Sequence, residues 1–130
     1  MLLLDTDVMI DIMRGYSPAV AWLRSLGSEV IALPGLVAME LVQGCRNRQE
    51  QQQVEATLRQ YTMYWPTQSD CARAFEDFSL YHLGHGIGIL DSLIAETAVG
   101  IDVKLVTFNE KHYRVVEDLQ TEQPYLRTST

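Results

Sequence analysis

The sequence predicts an α/β fold in which helices cover both faces of a mainly parallel central sheet. Short, continuously apolar runs such as residues 2–4 are typical of strands that are buried on both faces. Longer stretches with apolar residues at helical spacing separate these runs along the chain. Because strands that alternate with helices pack as helices on a parallel sheet, we expect an α/β/α sandwich.

The first half of the chain is predicted to contain three strands and four helices. Gly15, Ser17 and Pro18 interrupt the pattern of the first helix. Pro34 is well placed in the first turn of the helix that follows the second strand. The predicted elements are a strand at residues 2–4, helices at 8–13 and 19–26, a strand in SEVIALP, a helix that ends near Gly44, a mostly solvated helix at 46–61 that packs through Val54 and Leu58, and a strand in TMYWP.

The second half is predicted to contain two helices and one strand. Ser69 or Asp70 can cap a long helix that ends in the glycine-rich stretch GHGIG. ILDSLIAETAVG is predicted to be the next helix, with Gly100 as its stop. VKLVTFN is the last predicted strand. Without an internal repeat or a linker, a single domain over residues 1–130 is expected.

The composition is that of a soluble globular protein, with 47% hydrophobic and 21% charged residues. No apolar stretch approaches the ~20 residues that span a bilayer, so we expect a cytoplasmic protein that does not bind membranes. Cys45 and Cys71 are not closely spaced, and two reduced, half-buried thiols are expected. The net charge of -7 argues against a broad basic face for nucleic acid, but it suits a carboxylate metal site or a basic protein partner.

Four polar side chains interrupt apolar stretches where the predicted strands end or where helices begin. Asp5 and Asn109 follow strands, Glu40 lies about two turns into a helix, and Asp91 lies in the first turn of another. A buried, unpaired charge costs several kcal/mol, and open α/β sheets bind ligands at the carboxyl ends of their strands. Any one acid alone is better explained as a helix cap or a partner of Arg. All four together predict a site for Mg²⁺ or Mn²⁺.

These motifs resemble those of PIN-domain ribonucleases, especially the VapC-like toxins of prokaryotic toxin–antitoxin pairs. LLLDTDVMID is similar to their opening strand and acid, VAMELVQG to the second-acid helix, ILDSLIAETA to the third-acid helix, and KLVTFNEKHY to the closing strand and turn. The resemblance implies that Asp5, Glu40 and Asp91 bind the metal. It also implies that Asn109 takes the fourth position and that Thr107 places a hydroxyl beside the site. Because Asn109 adds no negative charge, we expect one resident ion.

The resemblance implies a metal-dependent endoribonuclease that hydrolyses RNA phosphodiester bonds. The metal would activate a water for in-line attack on phosphorus and polarise the phosphate. An antitoxin with a tail that reaches the active-site groove, often through a basic side chain, and a homodimer are also implied. Arg46, Arg48, Lys111 and Arg114 lie near the motifs. They could contact RNA phosphates or only keep a surface solvated, and the sequence does not choose between the two interpretations.

Asp7 has two interpretations. It could accept a hydrogen bond from a water bound to the metal, but a residue that precedes a helix is more often its N-cap, and we favour the cap. The spacing of His82 and His85 permits a metal site on one helical turn. Without HExxH or a neighbouring Cys, a surface or capping role is favoured for both.

Three other classes of protein remain as alternatives. LLLDTDV also resembles the opening motif of haloacid-dehalogenase-type phosphatases, but no acidic pair follows a late strand. A receiver domain should carry an Asp after its third strand, where TMYWPT has none. A non-catalytic PIN-like scaffold that binds RNA or protein is the third alternative, and three intact acids argue against it.

Overall fold

Five parallel strands form the central sheet of the protein, for which a computed structural model describes residues 1–127. The strands are β1 Leu2–Leu4, β2 Ile31–Pro34, β3 Thr62–Tyr64, β4 Lys104–Val106 and β5 Thr121–Glu122. They lie in the order β3-β2-β1-β4-β5, and every neighbouring pair is parallel. In this register Leu3 of β1 pairs with Ala32 on one side and with Leu105 on the other. The predicted parallel sheet is therefore confirmed.

Seven helices within residues 1–127 flank the sheet and complete the predicted α/β/α sandwich. Their bounds are α1 Thr6–Met13, α2 Ser17–Ser25, α3 Gly35–Gln43, α4 Arg48–Leu58, α5 Gln68–His85, α6 Ile89–Ile101 and α7 Glu110–Tyr113. The strand residues Leu3, Leu4, Leu33 and Leu105 are fully buried, as expected of a sheet that helices cover on both faces. Each buried methylene contributes about 0.8 kcal/mol, so these apolar runs stabilise the sheet.

The order of the strands reverses at β1, which positions the candidate site. β2 and β3 extend the sheet on one side of β1, whereas β4 and β5 lie on the other side. In open parallel sheets, ligands bind in the crevice outside the carboxyl ends of the strands at such a reversal. Asp5 follows β1 and Thr107 follows β4, so both residues lie at this crevice.

The first helix is capped by a different acid from the one that the sequence favours. The Asp5 carboxylate accepts a hydrogen bond from the Thr6 backbone N–H at 2.8 Å and is the N-cap of α1. Asp7 lies inside the first turn, where its carboxylate accepts a hydrogen bond from the Val8 N–H at 2.8 Å. The prediction that Asp7 is the N-cap is therefore wrong. The helix begins two residues earlier because Asp5 satisfies one of its free N–H groups.

The long helix α5 and its neighbour α6 also differ from the prediction at one end each. Thr67 is the N-cap of α5, and its hydroxyl accepts a hydrogen bond from the Asp70 N–H while the Asp70 carboxylate accepts one from the Thr67 N–H. Neither Ser69 nor Asp70 is the cap. Gly100 lies inside α6, which ends before Asp102, a residue in the left-handed conformation with φ 55°. A Cβ atom at Gly100 would overlap the Asp70 carboxylate, so glycine is needed where the two helices approach each other.

The sequence does not predict the fifth strand. β5 contains only Thr121 and Glu122, which pair in parallel with Leu105 and Val106 of β4. Two half-buried polar residues have neither an apolar run nor a periodicity that could indicate a strand. Thr121 and Glu122 form a strand because they pair with β4. The sequence around these two residues gives no sign of that pairing.

Three smaller expectations concern the thiols, the histidines and the membrane. Cys45 is half-buried, whereas Cys71 is exposed, so the expectation of two half-buried thiols is wrong for Cys71. His82 and His85 are exposed in the last turn of α5, and their rings contact Phe78 and Tyr81, in agreement with a surface role. Across residues 1–127, no helix is both long enough and apolar enough to cross a membrane.

Two buried carboxylates that the sequence does not predict to be paired hold α5 against α6. Asp70 and Glu96 are each 4% exposed, and both form ion pairs with Arg73. Their N···O distances are 2.5 Å from Nη2 to Asp70 and 2.8 Å from Nε to Glu96. Asp77 lies beside Glu96, and burial together with that neighbouring carboxylate raises the pKa of Asp77 to about 7. We call Asp70, Arg73, Asp77 and Glu96 the α5–α6 ion cluster.

Candidate active site

Two hydroxyl groups contact three carboxylates at the carboxyl end of β1. The Tyr113 hydroxyl lies 3.0 Å from Asp5 Oδ2 and 3.5 Å from Asp91 Oδ1, so it joins the end of β1 to the first turn of α6. The Thr6 hydroxyl donates to Glu40 Oε1 at 3.0 Å, which joins the start of α1 to α3. The structure therefore brings the three predicted acids to one region, linked through hydrogen bonds.

Asp5 is the most buried of the three acids, at 6% exposure. Its Oδ1 accepts a hydrogen bond from the Thr6 backbone N–H, and its Oδ2 accepts hydrogen bonds from the Thr107 and Tyr113 hydroxyls, the first at 2.8 Å. Burial raises the pKa of Asp5 to about 6, and the neighbouring charge of Asp7 adds to this rise, while the three hydrogen bonds oppose it. Asp5 is thus mainly ionised at neutral pH, with no cation paired to it in residues 1–127.

Asp91 begins α6 in a position that favours a negative charge. Its Oδ2 accepts a hydrogen bond from the Gly88 N–H at 3.2 Å, just before the helix. The free N–H groups and the positive end of the helix dipole stabilise an anion there. Oδ1 remains directed toward Tyr113, so one oxygen is held by the helix and the other faces the site.

Asp7 connects the start of α1 to the segment after β4. Its Oδ2 accepts a hydrogen bond from the Phe108 N–H at 3.0 Å, and its Oδ1 accepts the hydrogen bond from Val8. Burial raises the pKa of Asp7, although these hydrogen bonds and the Arg127 charge oppose the rise. Asp7 therefore fixes the position of the chain that carries Thr107 and the residues after it.

Asn109 lies beside the carboxylates without bonding to them. Its backbone N–H donates to the Thr107 hydroxyl at 3.0 Å, and its side-chain nitrogen lies 3.0 Å from Nδ1 of His112. Over residues 1–127, no hydrogen bond joins Asn109 to Asp5, Glu40 or Asp91. Its predicted function at the fourth position remains a prediction.

The donor atoms fit a hard divalent cation by their chemistry, but they do not form a closed cluster. Carboxylate oxygens are the ligands that Mg²⁺ and Mn²⁺ prefer, and Asp5 is a buried carboxylate that forms no ion pair within residues 1–127. Among the described residues, no three His, Cys, Asp or Glu side chains form a group that could hold a metal ion as they are placed. Asp5 and Asp91 meet through Tyr113, and within residues 1–127 Glu40 is joined to this pair only through Thr6. A cation would therefore require these side chains to draw closer together.

The four basic residues named from the sequence lie on exposed surfaces. Arg46 forms an ion pair with Glu50 at 3.4 Å, and its side chain is 87% exposed. Arg48 is the first residue of α4, and Lys111 and Arg114 lie in and directly after α7. Their suggested contacts with RNA phosphate remain predictions.

Arg14 is a candidate binding residue that sequence reasoning missed. It is exposed and lines two clefts, one of about 490 Å³ with Glu40 and one of about 420 Å³ with Asp7 and Arg127. Within residues 1–127, no carboxylate forms an ion pair with Arg14. We call these cavities the Glu40 cleft and the Asp7 cleft. The sequence offers no signal for Arg14, since it appears only as the last residue before the Gly15 turn.

Comparison with protein-family models assigns this arrangement to a family. Residues 2–118 match the model described as the PIN domain. The chain belongs to the PIN-domain family. Ribonuclease VapC10 of Mycobacterium tuberculosis is 33% identical over 122 residues, which cover 92% of this chain and 91% of that protein. Ribonuclease VapC19 of the same organism is 36% identical over 124 residues, which cover 92% of this chain and 98% of that protein. The PIN-domain resemblance is thus confirmed, and the phosphatase and receiver alternatives are wrong.

Solved structures share the fold of this PIN domain. VapBC2 from Rickettsia felis, bound to a DNA fragment from its promoter, has a TM-score of 0.74 at 23% identity, over 93% of this chain and 96% of that chain. DNA-bound VapBC from Salmonella typhimurium has a TM-score of 0.77 at 17% identity, over the same 93% and 96%. At these identities the likeness confirms the PIN-like α/β/α fold that the sequence predicts.

Proposed function

We propose that this PIN-domain protein is a metal-dependent endoribonuclease and the toxin of a toxin–antitoxin pair. One observation carries the proposal: Asp5, Glu40 and Asp91 come from three separate elements to the strand reversal of the sheet, where a ligand is expected. Relatives that carry the name ribonuclease match more than nine-tenths of the chain, which supports the same activity here.

The residues of the site bind and orient the reacting groups. A bound Mg²⁺ or Mn²⁺ would lower the pKa of the attacking water and polarise the scissile phosphate. Asp5 is held by hydrogen bonds from Thr6, Thr107 and Tyr113, so its carboxylate cannot rotate away from the site. Asp91 is held at the start of α6, while Glu40, which is less buried, can move toward Asp5. We expect one ion, because Asn109 adds no charge.

Arg14 is proposed to contact an RNA phosphate next to the site. It is a cation without an ion pair in residues 1–127, and it lies between the Glu40 cleft and the Asp7 cleft. The chain has a net charge of -7 and therefore no broad basic surface is expected. A single well-placed Arg side chain can still position an RNA phosphate.

Substitution of Arg14 by Gln should weaken the binding of single-stranded RNA several-fold. Each lost phosphate contact should also lower the slope of log affinity against log salt by about 0.7. Fluorescence anisotropy in EDTA, where no cleavage is expected, measures both quantities. Arg24→Gln, an exposed position on α2, is the matched control. An unchanged salt slope in Arg14→Gln would exclude this contact.

The activity itself is tested by incubating the purified chain with total cellular RNA in Mg²⁺, Mn²⁺ or EDTA, beside Asp91→Asn. Discrete fragments that need the metal and disappear in the variant are expected, with a loss of at least about a hundredfold in rate because a metal ligand is removed. Intact RNA in every lane, from folded protein that binds metal, would contradict the proposal.

A non-catalytic scaffold is the second candidate, because the three carboxylates do not form a ready-made metal group in the described residues. Divalent metal distinguishes the two functions. An enzyme of this design gains thermal stability from Mg²⁺ or Mn²⁺ by mass action, and Asp5→Asn loses the gain. A scaffold would show neither effect.

The partners follow from the same proposal. Several solved neighbours are toxin–antitoxin complexes, and the acidic surface suits an antitoxin with a basic side chain. Purification of the tagged chain from its host should recover a small DNA-binding protein that inhibits RNA cleavage, and recovery of none would contradict this.

We also propose a homodimer in the cytoplasm, which a light-scattering mass of one chain would contradict.

A further inference from the structure

We propose that the Tyr113 hydroxyl is a positioning group that orients Asp5 and links it to Asp91 for metal binding. The inference rests on the proposed function and assigns a role to a residue that the predicted ligand set does not contain. Tyr113 does not touch the substrate in this account, because it acts through the two carboxylates.

Tyr113 is 1% exposed, and its hydroxyl is directed at the acidic groups of the site. The hydroxyl oxygen lies 3.0 Å from Asp5 Oδ2 and 3.5 Å from Asp91 Oδ1. A buried tyrosine hydroxyl needs a hydrogen-bond partner, and here its partners come from two different elements. Phe would occupy the same space without the hydroxyl, so packing alone does not explain the tyrosine.

The hydroxyl restricts which oxygen of Asp5 is available to a cation. Oδ2 already accepts hydrogen bonds from Thr107 and Tyr113, which occupy its two lone pairs. Oδ1 accepts one hydrogen bond, from the Thr6 N–H, and keeps one free lone pair. Asp5 therefore presents a single oxygen. One oxygen per carboxylate suits the small octahedral ions Mg²⁺ and Mn²⁺, whereas Ca²⁺ often binds both oxygens of a carboxylate.

The segment after β4 supplies both of these donors. Thr107 follows the strand directly, and Tyr113 closes the short helix α7 six residues later. Both hydroxyls reach the same oxygen of Asp5, so this segment fixes the orientation of the carboxylate from one side. Donors that orient metal ligands in this way affect metal affinity about 10- to 100-fold.

The test is the affinity of the full chain for Mn²⁺ alone, measured by calorimetry at neutral pH. Tyr113→Phe is expected to bind Mn²⁺ about 10- to 100-fold more weakly than the wild type. The ratio of Mn²⁺ to Ca²⁺ affinity is also expected to fall, since Oδ2 is released. Tyr61→Phe, which removes the hydroxyl of a partly buried tyrosine outside the site, should leave both values unchanged.

The outcomes separate this inference from the proposed function. If the wild type binds Mn²⁺, Asp91→Asn does not, and Tyr113→Phe matches the wild type, the positioning role is wrong and the metal site remains. If the wild type binds no Mn²⁺, both are wrong. Should Tyr113→Phe fail to fold, Mg²⁺ titration of the wild type with tyrosine Cζ carbons labelled for NMR replaces it. One of the six tyrosine resonances is expected to shift as the metal binds, and six unmoved resonances would overturn the inference.

Discussion

Substitution of Asp5 by Asn is expected to abolish RNA cleavage and, in the metal-free protein, to raise the free energy of unfolding by about 1 kcal/mol. Burial raises the pKa of Asp5 from 3.8 to about 6, so its charged form is disfavoured in the folded state. At about 1.4 kcal/mol per pKa unit, the cost of the charge reaches roughly 3 kcal/mol above the folded pKa. Asn removes that charge but loses some of the hydrogen bonds, so the net gain is smaller. Urea unfolding in EDTA measures this change in the free energy of unfolding.

The pH dependence of this effect has a defined sign. The carboxylate of Asp5 destabilises the metal-free wild type above pH 6, and the cost disappears as the pH falls from about 6 toward 3.8 because the folded state takes up the proton first. The stability advantage of Asp5→Asn should therefore shrink over this range. Asp11→Asn, at a half-buried α1 acid bonded to Tyr125 and Arg127, is the control and should not stabilise the protein. A variant at Asp5 that is less stable than the wild type at every pH would contradict the account.

Substitution of Arg73 by Met is expected to lower the free energy of unfolding by about 2–3 kcal/mol at neutral pH. The change leaves Asp70 and Glu96 buried in the α5–α6 ion cluster without their cation. Removal of one partner from a buried ion pair typically costs 3–5 kcal/mol, and the partial exposure of Arg73, at 40%, reduces this value. Urea unfolding measures the loss, with Arg24→Met at an exposed site as the control.

The same substitution should leave the chemistry of the active site intact. The cluster joins α5 to α6, whereas Asp5 and Asp91 meet at the carboxyl end of β1. We expect RNA cleavage per folded molecule to remain within about twofold of the wild type, since no group at the site is changed. A loss of less than 0.5 kcal/mol, the range of ordinary surface substitutions, would show that the cluster does not stabilise the contact between the helices.

Much of the fold follows from sequence patterns because the strands of a covered parallel sheet are short apolar runs. Residues 2–4 illustrate this, since all three are leucines and they form β1 as predicted. The ends of helices are harder to predict, because Asp5 and Asp7 are both good caps and their spacing allows either to begin α1. Strand β5 shows the other limit, since its two residues form a strand only through β4.

The acids of the site could be predicted, but their surroundings could not. Asp5 stands out because it ends an apolar strand, and Glu40 and Asp91 stand out because they interrupt apolar helices. Burial of an acid is a poorer guide to function, because Asp70 and Glu96 are as buried as Asp5 and yet pair with Arg73 between α5 and α6. Whether a carboxylate is paired depends on residues that are distant in sequence.

Tyr113 and Arg14 could not be identified from the sequence. Tyr113 lies 108 residues from Asp5, and an aromatic residue in a short helix is more often part of the core. Arg14 is a candidate RNA-binding residue because its side chain lines two clefts, which only the structure shows. Both roles depend on how distant elements pack together. Local periodicity in the sequence does not describe that packing.

The most direct measurement is a crystal structure of the protein with Mn²⁺, with anomalous scattering used to locate the ion. We expect a single Mn²⁺ peak about 2.1 Å from one oxygen of Asp5 and one of Asp91, with Glu40 bound directly or through a water. Asp91→Asn crystals treated in the same way should show no peak there. A Mn²⁺ peak elsewhere, or none at these carboxylates at saturating metal, would contradict the claim that the three acids form the metal site.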